Sequence, residues 1–107
     1  MKRIMLCCSA GMSTSLLVRK MKEVAEQRGE DVQIDAFGAS EFDEKFRDYQ
    51  VVLLGPQVRY MQGDLSARAA EFNITVEVIN MMDYGMQRGD NVLDFAFGLI
   101  AQEGSRV

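Results

Sequence analysis

Four short apolar runs alternate with stretches of helical character, and this alternation constrains the chain more than any other feature. Ile4 to Cys8 is the first run. Ser13 to Arg28 follows, with apolar residues at Leu16, Leu17, Met21, Val24 and Ala25 and with Arg19, Lys20, Lys22, Glu23 and Glu26 between them. That spacing is the helical period, and Gly29 supplies a C-terminal stop. Val32 to Ala36 alternates apolar and polar residues, as a half-buried edge strand does. Val51 to Leu54 is apolar throughout and reads as an inner parallel strand. Thr75 to Ile79 reads as a fourth strand. Glu41 to Asp48 reads as a short helix. Val58 to Phe72 is helical in part, with Gly63 as a candidate interruption. Asn91 to Gln102 closes the chain as a helix whose buried stripe is Val92, Leu93, Phe95, Ala96, Leu99 and Ile100.

The pattern is βαβαβαβα, an α/β class. Right-handed crossovers make it a doubly wound, four-stranded parallel sheet with helices on both faces. Strand order 2-1-3-4 is the natural solution. It puts a topological switch point between the first and third strands, where ligand chemistry gathers beyond the strand C-termini. The loops there run from Cys8 to Thr14 and from Gly55 to Val58.

A length of 107 residues suits a single domain, 1–107, and 48% apolar residues can fill one core. Net charge is −4, without a long block of like charges. That argues against nucleic acid or an anionic membrane surface as the main partner. No secretory segment is evident after Met1-Lys2-Arg3, and the apolar stretch from Phe95 to Ala101 is too short to span a bilayer. Direct membrane insertion is not expected, so any membrane path belongs to another chain. The adjacent Cys7 and Cys8 close too strained a ring for a structural disulfide, and two free thiols suit a reducing cytoplasm. Histidine is absent altogether.

The chemistry concentrates in Cys8-Ser9-Ala10-Gly11-Met12-Ser13-Thr14-Ser15, which joins the first strand to the first helix. Gly11 permits backbone angles that most residues resist. Successive N–H groups can therefore turn inward as an anion nest, aided by the helix N-terminus. Ser13, Thr14 and Ser15 add hydroxyls that cap the helix or donate to an anion. Cys8 stands at the mouth of this loop. A free thiol has a pKa near ~8.5, and helix N-termini lower it. The helix dipole contributes about 0.3–2 kcal/mol, so N–H groups bonded to sulfur must supply any larger fall. The competing reading makes Cys8 a buried strand-end thiol and the loop an ordinary turn. Its place at the switch point favours the site.

Cys8-Ser-Ala-Gly-Met-Ser-Thr-Ser-Leu-Leu-Val18 closely resembles the phosphorylation loop of IIB proteins of the lactose/cellobiose phosphotransferase family, the cellobiose/chitobiose branch more than the lactose branch. Val52-Leu-Leu-Gly-Pro-Gln-Val-Arg-Tyr-Met61 is a second match. The strand Val76 to Ile79 followed by Tyr84-Gly85 is a third. The resemblance implies a catalytic phosphocysteine at Cys8, with Ser9, Ala10, Gly11, Met12, Ser13, Thr14 and Ser15 cradling the phosphate. It further implies a phosphohistidine donor protein, EIIA, and a membrane permease, EIIC, that binds a cellobiose/chitobiose-type β-glucoside or lactose. A IIB chain would work in the cytoplasm, peripherally associated with that permease. Two places depart from the family. Cys7 stands where an apolar residue is usual, and Gly38 to Tyr49 matches nothing identifiable.

The same loop describes the low-molecular-weight tyrosine phosphatases, whose motif places an arginine six residues after the cysteine. Here that position is Thr14, followed by Ser15. Without a guanidinium fork, charge on a phosphoryl group in flight is less stabilised. Asp83 has no supported role as a general acid. Without histidine, no internal Cys–His dyad forms, and any phosphohistidine must lie on a partner. These absences suit a carrier over a phosphatase. A thiol redox enzyme on the same loop needs a resolving cysteine, for which Cys7 is badly placed; Cys7 reads as a small apolar packing residue. Gln57 and Tyr84 are candidate rim residues, Arg59 reads as an exposed helix-start residue, and Met12 and Met61 are candidates for an adaptable docking rim. No metal motif or cofactor motif is present.

Overall fold

The computed structural model describes residues 1–8 and 12–105, with side chains at 12, 13 and 102–105 outside the description. Four parallel strands form its sheet: β1 (Lys2–Cys8), β2 (Val32–Gly38), β3 (Val51–Leu54) and β4 (Thr75–Val78). Their order is β2-β1-β3-β4, as the doubly wound solution requires. Residues 4–8 of β1 and all of β3 are buried, as inner strands flanked by helices must be.

Strand alternation divides the core in two. Ile4 and Leu6 of β1 and Val51 and Leu53 of β3 face α1 (Met12–Gln27) and the C-terminal helix, meeting Leu17, Met21, Leu93 and Ala96. Met5 and Cys7, with Val52 and Leu54, face the opposite way onto Phe42, Phe46, Leu65 and Ala69. Phe42 begins α2 (Phe42–Lys45), and Leu65 and Ala69 lie on α3 (Gln62–Ala70). The rings of Phe42 and Phe46 stack with centroids 4.6 Å apart, and Phe72 meets Phe46 edge-on. Gly29 ends α1 at φ +69°, the left-handed angle expected of its position, and Glu30 N–H donates back to Ala25 O at 2.9 Å.

Several boundaries differ from the sequence expectation, each for a local reason. The segment 39–48 is a succession of short turns around α2, because Phe42 and Phe46 must both reach the core. Gly63 does not interrupt a helix; it lies inside α3 with open space around it. The break falls earlier, at Val58 (φ −116°, ψ 22°), within the tight turns Pro56–Met61. A further helix, α4 (Met81–Gly85), precedes the last one, α5 (Gly89–Ser105). Asn80 caps α4, its Oδ1 accepting from the N–H groups of Met82 (2.8 Å) and Asp83 (3.2 Å). Five residues are too few to show a period, but Asn80 followed by Asp83 is the sequence signal for such a start.

Candidate functional site

Parallel strands bring their C-terminal ends to one edge, and β1 and β3 are neighbours there. Cys8 is the last residue of β1, and Gly55 follows β3 directly. The ladder continues one step past β3, since Gly55 N–H donates to Cys7 O at 2.8 Å. The predicted switch point therefore brings Cys8 beside Gly55, the start of the second loop.

Cys8 is 1% exposed, and its Sγ lies 3.5 Å from Thr14 Oγ1 in the first turn of α1. Thr14 is fully buried, at 0% exposure. A hydroxyl in that position can accept from a thiol or donate to a thiolate, and only donation remains once sulfur is ionised. Thr14 occupies the place at which the phosphatase motif requires arginine, and a short uncharged hydroxyl stands there instead. Ser15, next on α1, is exposed. The expectations for Ser9, Ala10 and Gly11 lie outside the described residues, as do those for the side chains of Met12 and Ser13.

Gln57 and Tyr84 come together although 27 residues separate them: Gln57 Nε2 donates to Tyr84 Oη at 3.1 Å. Both pack over Gly55. A side-chain carbon added to Gly55 would stand 2.7 Å from Gln57 Oε1, 3.4 Å from the Cys8 Cβ and 3.4 Å from Tyr84 Cε2. The two rim candidates and the cysteine thus converge above one glycine. In sequence Gly55 marks only the start of the loop, by its place before Pro56. An open groove of about 510 Å³ begins at this pair, between the turns Pro56–Met61 and α4. Arg59, Tyr60 and Met81 also line it.

Other candidates are placed elsewhere. Cys7 points to the opposite face, where its Sγ donates to Gly38 O at 3.7 Å. Burial first, with the neighbouring Cys8 and Glu41 charges adding, pushes the Cys7 thiol up to about 12. Asp83 accepts from Asn91 Nδ2 at 3.0 Å and lies 3.6 Å from Arg88 Nη1, so its hydrogen bonds serve the α4–α5 connection. Met61 is half-buried in the second core, whereas Met81 and Met82 of α4 and Met86 just after it are exposed. These three were not separable from core methionines by sequence, because the helix that exposes them was not foreseen.

Residues 3–95 match the family described as PTS system, lactose/cellobiose specific IIB subunit. The chain is 46% identical over 103 residues to the oligo-beta-mannoside-specific EIIB component of Bacillus subtilis (strain 168), covering 96% of this chain and 100% of that protein. It is 43% identical over 104 residues to the galactose-specific EIIB component of Lactococcus lactis subsp. cremoris (strain MG1363), covering 92% and 96%. Among solved structures, the cellobiose-specific phosphotransferase IIB component of Borrelia burgdorferi superposes with a TM-score of 0.80 at 33% identity, over 95% of this chain and 94% of that one.

Proposed function

Because the chain belongs to the lactose/cellobiose-specific IIB family of the sugar phosphotransferase systems, we propose that Cys8 is its phosphoryl-accepting nucleophile, in a cytoplasmic carrier that loads from EIIA and discharges through EIIC. The observation that carries this reading is the placement of the Cys8 sulfur against Thr14, at the helix start beyond the strand ends. Cysteine, hydroxyl and helix N-terminus there address one small volume suited to an anion.

In the first transfer the Cys8 thiolate attacks the phosphorus of the EIIA phosphohistidine in line. An S–P bond forms as the P–N bond breaks, and the electron pair returns to the imidazole nitrogen. Thr14 Oγ1 donates to the sulfur beforehand, which stabilises the thiolate. The loop from Ser9 to Ser15 supplies N–H and hydroxyl donors to the phosphoryl oxygens as charge builds on them. In the second transfer a sugar hydroxyl oxygen held by EIIC attacks the same phosphorus. An O–P bond forms, the S–P bond breaks and the thiolate is regenerated, while the hydroxyl proton passes to a base at the sugar site.

A carrier must keep its phosphocysteine from water between these two events. Thr14 in the arginine position serves that need, since no guanidinium there stabilises attack by water. Among the described residues no helix is long and apolar enough to cross a membrane, and the membrane path is assigned to EIIC. Sugar choice is assigned to EIIC as well. The relatives are named for an oligo-beta-mannoside, galactose and cellobiose, yet all share this small carrier fold or its sequence.

Mass spectrometry after incubation with phosphorylated EIIA tests the assignment. One phosphate on Cys8 of the parent and none on Cys8→Ser is the expected result. Phosphate on another residue of the parent, or normal uptake by the variant, overturns it. Steady turnover of an aryl phosphate without EIIA would instead make the protein a phosphatase.

A further inference from the structure

We infer that Gln57 and Tyr84 are positioning residues, and that their hydrogen bond across Gly55 holds the Cys8 side of the site ready for phosphoryl transfer. The inference rests on the carrier reading above and assigns a role that the family match does not.

Three observations carry it. First, the bond joins two elements that the chain brings together only in the folded state: the turn after β3 and the short helix α4. Second, Gly55 has φ −63° and ψ 149°, angles that any residue adopts. The backbone therefore does not require glycine there; the space does. The direction of a Gly55 side chain is already occupied by Gln57 Oε1, the Cys8 Cβ and the Tyr84 ring. Third, the pair lines a groove of about 510 Å³ between the turns Pro56–Met61 and α4, so one side of the pair is open space.

The physical consequence concerns the cysteine. Its sulfur contacts Thr14 on α1, and the space beside its Cβ is shared with Gln57 and Tyr84. In-line attack needs the sulfur within a narrow range of direction, and a displacement of about 1 Å is enough to slow a transfer up to ~100-fold. With the pair intact, the wall beside Cys8 is complete. With the pair broken, the Gln57 amide and the Tyr84 ring relax into the groove, and Cys8 spends less of its time aimed at phosphorus. The bond itself is exposed and contributes little to folding. Its loss is therefore expected to show in transfer and not in stability.

Gly55→Ala and Tyr84→Phe, separately and together, test this in the full chain. The added methyl of Gly55→Ala meets the flexible end of Gln57 most closely, so it displaces that amide while the backbone stays. Phosphorylation of Cys8 is followed by rapid quench with phosphorylated EIIA over a range of concentrations. Each single variant is expected to lose about tenfold in the rate at saturating donor, with half-saturation changed less than about twofold and melting temperature within a few degrees of the parent. The double variant is expected to be no slower than the slower single variant, because both changes break the same pair. Parent rates in both variants, or losses that multiply in the double variant, would overturn the inference. If Gly55→Ala does not fold, Tyr84→Phe decides alone. A parent that takes no phosphate on Cys8 would instead sink the carrier reading itself, so the two failures are told apart.

Discussion

Cys7 and Cys8 are consecutive residues of β1, and both are hidden from solvent at 0% and 1% exposure. Burial does not distinguish them; the face of the sheet does. Cys7 is turned toward Met5, Phe42, Val52 and Leu54, among apolar neighbours that raise its pKa and keep it a thiol. Cys8, one residue on, points the other way, to the buried hydroxyl of Thr14 and the start of α1. Two chemically identical groups thus become a packing residue and the proposed nucleophile through the pleat of one strand. Sequence neighbours do not separate the two thiols; the side chains that each face of the sheet supplies do.

The largest test of this contrast is chemical. Exchanging Cys8 for serine is expected to remove phosphoryl uptake from phosphorylated EIIA completely, whereas Cys7→Ser keeps it; equal losses from both would erase the distinction between the faces. Next in size is the packing of the Cys7 face. Phe42 is 1% exposed and stacks on Phe46, so Phe42→Ala is expected to cost about 3–5 kcal/mol in urea denaturation. The folded fraction of that variant should still load Cys8 at the parent rate.

A smaller effect is expected from Cys7→Ser itself. The hydroxyl would lie among apolar side chains with Gly38 O as its acceptor. A loss of about 1–3 kcal/mol follows if the serine is poorly paired, readable as a lower denaturation midpoint. The smallest effect is in alkali. The Cys7 thiol ionises near 9 or a little below when unfolded and only at about 12 in the fold. The unfolded chain therefore releases this proton first. The group's contribution is complete below pH 9 and is lost as pH rises from 9 toward 12. At pH 10 the loss is about 1 kcal/mol. Parent protein should show this decline relative to Cys7→Ser, and parallel curves for the two would place Cys7 in a wetter setting than the fold indicates.

Much of the architecture is legible along the chain because buried strands and amphipathic helices leave different periods. Val51 to Leu54 is readable as a strand to the residue, since an inner parallel strand is apolar at every position. The strand order follows from short right-handed crossovers. The helix α4 escaped this reading because five residues carry no period, although Asn80 announces it. At Gly63 a helix breaker overstated the case. An exposed glycine costs a helix only about 1 kcal/mol, and α3 bears that cost. Thr14 was readable as a loop hydroxyl, but its burial against the Cys8 sulfur depends on how α1 settles on the sheet.

The class of fold, the cysteine at its switch point and the missing arginine that sets this loop apart from a phosphatase's are all written in the order of residues. Each of those is local: a period, a position in a motif, a residue type. That Cys7 packs and Cys8 faces Thr14, and that Gln57 and Tyr84 close over Gly55, emerges only when the chain is folded. Those are meetings of side chains from separate elements. Their distances are set by how the strands twist and the helices seat against them, which no short stretch of residues encodes.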